Sequence, residues 1–117
     1  MKVSQRDFRE FKRSFLYWAR ELYCPHKVYF YFDVIKDNVA AQITADEDAQ
    51  TASVEYNQVL TADGYKTRPT PAETGKHEAL HLFLHRMRWL AGCRCVMIPD
   101  LDEEEERQVR VLERVVK

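Results

Sequence analysis

Residues 70–92 have the sequence TPAETGKHEALHLFLHRMRWLAG, and this stretch decides how the rest of the chain is interpreted. Thr70, Pro71 and Glu73 form a capping box, with Thr at the N-cap, Pro at the first helical position and Glu three residues after Thr. These signals predict a helix that begins at Pro71 and continues to about Ala91, where Gly92 ends it. Its broad apolar surface predicts a largely buried, central element, and the residues that form this surface are Leu80, Phe83, Leu84, Met87 and Leu90.

A metal-binding motif lies in the middle of this predicted helix. His77-Glu78-Ala79-Leu80-His81 is an H-E-x-x-H. Because residues four apart lie on one face, one turn apart, both imidazoles can reach one metal ion. The glutamate beside the first histidine is then placed to act on a water that this metal activates. The motif predicts a zinc site with His77 and His81 as ligands and Glu78 as general base.

A catalytic zinc ion normally has a third protein ligand, and the histidine that follows the motif is too far away to be one. His85 is eight residues from His77, about 12 Å along the helix at about 1.5 Å per residue. Zinc–nitrogen bonds of about 2 Å cannot span that distance. We therefore exclude His85 as a shared ligand, although it can hydrogen-bond to groups around the site. Cys93 and Cys95 form a C-x-C, which is a weak metal signal, and we interpret them as buried or half-exposed thiols.

The last predicted helix offers the better third ligand. Pro99-Asp100 breaks the chain, Asp102 is a good N-cap, and the acidic residues that follow favour a helix start. Glu105 is a carboxylate on an otherwise apolar, inward-facing stripe, which consists of Leu101, Glu105, Val109 (or Gln108), Leu112 and Val116. Helical phase thus favours Glu105 as the third ligand; Glu106 is the nearest alternative, and Glu104 follows.

The first half of the chain predicts one helix and three strands. Ser4 caps a helix to about Leu22, whose apolar stripe comprises Phe8, Phe11, Phe15, Trp18 (or Ala19) and Leu22. Its basic residues, Arg6, Arg9, Lys12, Arg13 and Arg20, are interpreted as a solvated face. Strands are predicted at residues 27–34, 39–45 and 51–57, and their short connections favour an antiparallel meander. Asp46-Glu47-Asp48 is interpreted as a solvated turn, and residues 58–68 as a polar loop.

Size and composition narrow the class of protein. A chain of 117 residues is long enough for one domain, residues 1–117, and too short for two of ordinary size. The net charge of −1 makes a nucleic-acid partner unlikely on bulk charge. The N-terminus lacks the apolar region of a signal peptide, and no apolar run is long enough to cross a membrane, so we expect a cytoplasmic protein. Three cysteines, an odd number, fit reduced thiols better than a disulfide framework.

The active-site helix and the glutamate-rich last helix resemble those of the small phage and prophage zinc metallopeptidases of the zincin class, in the gluzincin or minigluzincin-like group. The resemblance rests on His77-Glu78-Ala79-Leu80-His81-Leu82, a short connector and residues 105–113, and it covers roughly residues 27–117. It implies an α+β, single zincin-like domain with an N-terminal helix, a three-stranded mainly antiparallel sheet, an active-site helix and a C-terminal glutamate helix. It also implies zinc at His77, His81 and Glu105, with Glu78 as the catalytic base.

The expected activity is hydrolysis of a peptide or protein substrate. The second or third strand is expected to supply a sheet edge for an extended peptide. Tyr65, Lys66 and Arg68 are candidates for stabilising the oxyanion, and nothing selects one of them. Two alternatives remain open: a zinc-stabilised binding or regulatory domain with little or no turnover, and an α+β domain in which the motif is accidental. Nucleic-acid binding through the first helix is a minor option.

Overall fold

An α+β fold with four helices and one mixed three-stranded sheet, in which a helix comes first, is seen in the computed structural model, which describes residues 1–93 and 96–115. Cys95 and Val116, which entered the predictions above, lie outside these residues. The elements in chain order are α1 (Gln5–Glu21), β1 (Lys27–Asp33), β2 (Ala41–Asp46), β3 (Thr51–Asn57), α2 (Ala62–Thr67), α3 (Pro71–Gly92) and α4 (Ile98–Val115).

The first helix forms as its cap and apolar stripe predict. Ser4 Oγ accepts a hydrogen bond from the backbone N–H of Asp7 at 3.1 Å, which satisfies one of the free donors of the first turn. Its buried residues are Phe8, Phe11, Phe15 and Ala19. They pack in one core with the inner side chains of the sheet, including Val54 and Tyr56. Of the two positions that the sequence left open for this stripe, Ala19 is the fully buried one, and Trp18 packs at its margin.

The sheet has the strand order β1-β3-β2, so the predicted meander is wrong. The hairpin between β2 and β3 is antiparallel, as its short turn predicts. β1, however, pairs in parallel with β3, from Lys27 opposite Thr51 to Asp33 opposite Asn57. The third strand is therefore central, and β1 and β2 are the two edges. The chain between β1 and β2 must pass across the end of β3.

Asn57, at the end of β3, fixes that crossing segment. Its side chain is buried, and Oδ1 accepts a hydrogen bond from the backbone N–H of Ile35 at 3.0 Å. Nδ2 donates to the carbonyls of Ile35 at 3.1 Å and Val39 at 2.8 Å. One amide thereby satisfies three backbone groups of the segment between β1 and β2, which would otherwise be buried without partners.

The central helix α3 begins at Pro71, as predicted from its cap. Thr70 Oγ1 accepts from the backbone N–H of Glu73 at 3.1 Å, and its hydroxyl also contacts the Glu73 carboxylate. The helix crosses α1 very closely at Gly75. A Cβ atom at this position would lie 2.7 Å from the carbonyl oxygen of Phe11 and 2.9 Å from the backbone nitrogen of Phe15. Gly75 thus permits two helix backbones to approach more closely than any other residue would allow.

Three local predictions need correction. The segment 58–68 contains the short helix α2, in which Thr61 Oγ1 accepts from the N–H of Gly64 at 3.0 Å. The last helix begins at Ile98, four residues before the predicted cap at Asp102, and Asp100 instead accepts from the N–H of Met97 at 2.9 Å. The apolar surface of α3 is buried only in part, because Leu80, Leu84 and Met87 are exposed.

Two apolar clusters hold these elements together. The larger one joins α1, the inner face of the sheet and the first half of α3. The smaller one contains Leu22, Phe83 and Val111 and connects α4 to the rest of the molecule. Within the described ranges, no helix is both long and apolar enough to cross a membrane.

Candidate functional site

The two histidines of the motif point towards one another on the exposed side of α3. The Nε2 atoms of His77 and His81 are 3.1 Å apart. Two nitrogens bound to a tetrahedral zinc ion at about 2.0–2.1 Å lie ~3.3 Å from each other, so this spacing fits a pair of ligands to one ion. Regular helical geometry suffices to bring the two rings together, because the residues are four apart.

Glu78 lies on the next face of the same turn and is buried, with 7% of its surface exposed. Burial raises the pKa of its carboxyl group, while the charges of His81 and His77 act in the opposite direction. A carboxylate in such surroundings is a stronger base than one in water. The side chain still has access to a groove, which it lines together with His81.

That groove has a volume of about 350 Å³ and lies between α3 and the edge strand β2. Its lining residues are Ala41, Ile43 and Ala45 from the strand, and Glu78, His81, Leu82, Leu84, His85 and Arg88 from the helix. Of the two strands expected to offer an edge, β3 is central, so only β2 has unpaired backbone groups beside the groove.

The helical phase predicted for the last helix is wrong by one residue. The inward positions of α4 are Glu104, Gln108 and Val111, whereas Glu105 and Glu106 are exposed. The predicted stripe therefore faces outward, with Leu101, Val109 and Leu112 each more than a third exposed.

Glu104 occupies the inward position because arginines neutralise it. Only 3% of its surface is exposed, and both carboxylate oxygens accept from Arg107 Nε, at 3.0 and 2.9 Å. Arg86 of α3 adds a contact at 3.3 Å. A buried carboxylate is stable when it is paired and hydrogen-bonded in this way. These ion pairs line a second cavity of about 530 Å³ between the end of α1, α3 and α4.

The last helix also lies on the wrong side of α3 to supply a third ligand to His77 and His81. It contacts α3 through Phe83 and Arg86, since Arg107 Nη2 donates to the carbonyl of Phe83 at 3.2 Å. At 3.6 residues per turn, these two positions are rotated by about 240° and about 180° from His77. Accordingly, no group of three or more His, Cys, Asp or Glu side chains in residues 1–93 and 96–115 is arranged to hold a metal ion. The structure thus does not bring Glu105 to His77 and His81.

Sequence reasoning missed a second polar cluster, which joins His26, Glu47 and His85. Glu47 Oε1 accepts from His26 Nε2 and from His85 Nδ1, both at 2.9 Å. The Glu47 side chain is only 2% exposed, so the predicted solvated turn is wrong at this residue. Burial alone would raise the pKa of Glu47, but the hydrogen bonds from His85 and His26 outweigh it, and the pKa is lowered.

This cluster fastens the turn between β2 and β3 to the motif helix. The sequence left His85 able to hydrogen-bond to groups around the site, and its half-buried ring hydrogen-bonds to Glu47. Its position four residues after His81, on the same helix face, was the only signal in the sequence. The sequence contained no signal for its partner, the Glu47 carboxylate, which is 38 residues away.

The residues proposed to stabilise an oxyanion lie elsewhere. Tyr65 and Lys66 are on α2, and Arg68 Nη2 contacts Asp7 Oδ2 of α1 at 3.1 Å. The guanidinium of Arg68 also stacks on the ring of Tyr65, 3.7 Å from its centroid. None of the three lines the groove. Cys93, the described member of the C-x-C, is half-buried, and its thiol donates to the carbonyl of Trp89.

Comparison with known proteins gives no match: no family model matches the chain, and neither does any curated protein or any solved structure. Functional inference for this molecule therefore depends on the geometry of its own residues.

Proposed function

We propose that this protein is a zinc-dependent peptidase whose centre is the His77–His81 pair. One observation carries the proposal: two imidazole nitrogens 3.1 Å apart, with the buried carboxylate of Glu78 on the same helical turn, beside a groove that an unpaired strand edge borders. Two nitrogen ligands, a base and a backbone edge for a substrate are among the parts that metal-assisted peptide hydrolysis needs.

Each group has a definite task in this proposal. Zinc, when bound, polarises a carbonyl group and lowers the pKa of water towards neutrality. His77 and His81 hold the ion through Nε2. The Glu78 carboxylate takes a proton from the attacking water and delivers it to the nitrogen of the leaving amine. The backbone of β2 hydrogen-bonds an extended peptide and aligns it along the groove.

The proposal assigns two protein ligands and leaves the third open. Glu104 is committed to Arg86 and Arg107, and Glu105 and Glu106 face outward on α4. Ligation by Glu105 remains a prediction from the sequence and requires a different placement of α4 from the one described here. A site with two histidines binds zinc less tightly than a complete three-ligand site.

Metal analysis of matched variants tests the ligands. We expect the purified wild type to take up one zinc ion per chain on titration, and His77→Ala and His81→Ala to lose it. Glu105→Ala and Glu106→Ala report on the third ligand, and Arg13→Ala on the exposed face of α1 is the control. Failure of the wild type to bind zinc would refute the metal site and with it the peptidase.

Cleavage assays test the base. Glu78→Gln removes the proton acceptor but keeps the shape of the side chain, so we expect this variant to retain zinc and to lose at least about 10²-fold in the cleavage rate. Peptide cleavage at the wild-type rate by zinc-loaded Glu78→Gln contradicts the assignment of Glu78.

A second candidate function is a zinc-stabilised binding or regulatory domain, which needs no turnover. The lack of a third ligand among the described residues argues against turnover, but a structural zinc ion normally takes four protein ligands, two more than His77 and His81 supply. A broad peptide library separates the two functions. If the folded, zinc-loaded wild type cleaves no member, the binding function is supported and the peptidase is refuted.

A further inference from the structure

We propose that the groove selects peptides that carry a carboxylate close to the cleaved bond, and that Arg88 is the residue that binds it. This inference rests on the proposed peptidase function, because it names the substrate class of the same groove. It follows from the charge, shape and rigidity of the groove beyond His81.

The charges of the groove are separated along α3. Glu78 and His81 lie at one end, and Arg88 lines the other end, two turns further along the helix. Arg88 is exposed and forms no ion pair with any residue that the structure describes. Its guanidinium is always charged and binds carboxylates through two parallel hydrogen bonds. A carboxylate on the substrate supplies the missing counter-charge.

The His85 side chain lies between these two ends of the groove and is held in place by a hydrogen bond. Its Nδ1 is held by the buried carboxylate of Glu47, so the ring cannot turn across the groove. Glu47 is itself held by His26, the residue directly before β1. The turn after β2 and the residue before β1 therefore fix the His85 side chain, which lies together with Leu84 between the motif and Arg88.

Distances along the helix set where the carboxylate lies. Arg88 is seven residues beyond His81, about 10 Å at about 1.5 Å per residue. An extended peptide covers about 3.3 Å per residue, so the carboxylate lies about three residues from the cleaved bond, or nearer if a long side chain carries it. The small side chains of Ala41 and Ala45 on β2 leave the groove wide on its strand side.

The carboxylate can come from an acidic side chain on either flank of the bond or from the terminal carboxylate of a peptide. Glu47, which directly follows β2, contacts His85, so β2 and α3 run in the same direction along the groove. A peptide antiparallel to β2 places residues on the amino side of the bond near Arg88. A parallel peptide places the carboxyl side there.

Quenched fluorescent peptides with paired substitutions test this inference. Each pair differs only by Glu against Gln at one position up to three residues from the bond, and further pairs have a free or an amidated C-terminus. We expect kcat/KM of the zinc-loaded wild type to be about tenfold higher for one carboxylate-bearing member, an effect that a charge-assisted hydrogen bond supplies. Arg88→Glu should lose or invert that preference, whereas Arg13→Glu on the distant exposed face of α1 should retain it.

The outcomes separate the two proposals. Cleavage of many peptides with equal kcat/KM within every pair overturns the role of Arg88 and leaves the peptidase standing. Absence of all cleavage refutes the peptidase, and the same pairs are then measured for binding to the zinc-loaded protein by fluorescence anisotropy. Equal affinity within every pair, or no binding, overturns the carboxylate preference. Tighter binding of one acidic member that Arg88→Glu abolishes supports it.

Discussion

At the scale of single residues, the most consequential side chain outside the motif is Glu47. Its carboxylate is almost completely buried, yet it receives hydrogen bonds from two histidines and from Gln50 Nε2 at 3.2 Å. A buried charge persists only when its partners replace the water that it has lost. Glu47 is therefore a joint between β1, the hairpin turn and α3, and its contribution to folding depends on its ionisation.

The hydrogen-bonded carboxylate of Glu47 predicts a specific loss of stability in acid. The pKa of Glu47 is lower in the folded protein than in the unfolded chain, where it is about 4.3. The stabilisation is thus fully present above the unfolded pKa and is lost as the pH falls through the folded pKa. We expect the difference in unfolding free energy between wild type and Glu47→Gln, measured with urea from pH 6 to pH 3, to shrink as the pH falls. Glu55→Gln, on the open face of the sheet, is the control; a difference that is constant across this range contradicts the prediction.

The sequence predicted the positions of side chains that depend on neighbours within one helical turn. It failed for side chains whose position depends on a residue of another element. The spacing of His77 and His81 follows from one helical turn, and the structure has their nitrogens close together. The inward residue of α4 instead depends on contacts with another helix, because Arg107, which pairs with the buried Glu104, also donates to the carbonyl of Phe83, and Arg86 adds a contact to Glu104. Leu101, Glu105 and Leu112 form an equally good periodic stripe, so periodicity alone could not choose between the two faces.

At the scale of elements, the crossing of α1 and α3 depends on Gly75. The backbones are so close there that a methyl group would overlap main-chain atoms of Phe11 and Phe15, which cannot rotate away. Ser14 strengthens the same crossing, because its hydroxyl donates to the carbonyl of Ala72 at 2.6 Å. The position of the motif helix on the core is therefore set at Gly75, two residues before His77.

Gly75→Ala is expected to destabilise the protein by about 1–3 kcal/mol, the usual cost of overpacking a closely packed contact. Gly92→Ala is the matched control on the same helix, since a Cβ at that position meets no atom within 4 Å. In this control, the free energy of unfolding should change by less than about 1 kcal/mol. It should increase if the higher helix propensity of alanine stabilises the helix end. Thermal and urea unfolding of both variants measure the effect; equal stability of the two variants would argue against the close crossing.

The elements themselves were largely predictable, and their arrangement was not. Capping at Ser4 and Thr70 and the alternation in β3 are local, and these elements begin where the sequence places them. Strand order instead depends on Asn57, which binds backbone groups 18 and 22 residues away. Connection length alone favoured a meander, because it does not record such long-range hydrogen bonds.

At the scale of the whole molecule, the two apolar clusters differ in size and so in strength. The larger cluster joins α1, the sheet and α3, whereas α4 is held by Val111 against Leu22 and Phe83 and by the ion pairs of Glu104. The ion pairs are partly open to solvent at Arg86 and mainly compensate for the burial of Glu104, so removing one partner weakens the attachment of α4. We therefore expect the last helix to detach and unfold locally before the rest of the protein unfolds.

Native-state hydrogen exchange followed by mass spectrometry measures this difference. We expect the backbone amides of α4 to exchange through a local opening of lower free energy than those of α1 and β3, which exchange by global unfolding. Glu104→Gln should accelerate exchange in α4 and leave α1 unchanged, while Glu113→Gln on the exposed side of α4 serves as control. Equal protection of α4 and α1 in the wild type is the contrary result.

The central place of β3 has a consequence for biosynthesis. A nascent chain that has left the ribosome as far as Asp46 contains both edge strands, but these two never pair with each other in the native sheet. No native β-sheet exists until Thr51–Asn57 emerges and pairs with both at once, and the crossing segment is fastened only when Asn57, the last residue of that strand, arrives. Until then, α1 and β1 expose aromatic residues that a chaperone can bind. During synthesis, the native sheet of this protein can therefore form only after its third strand has emerged.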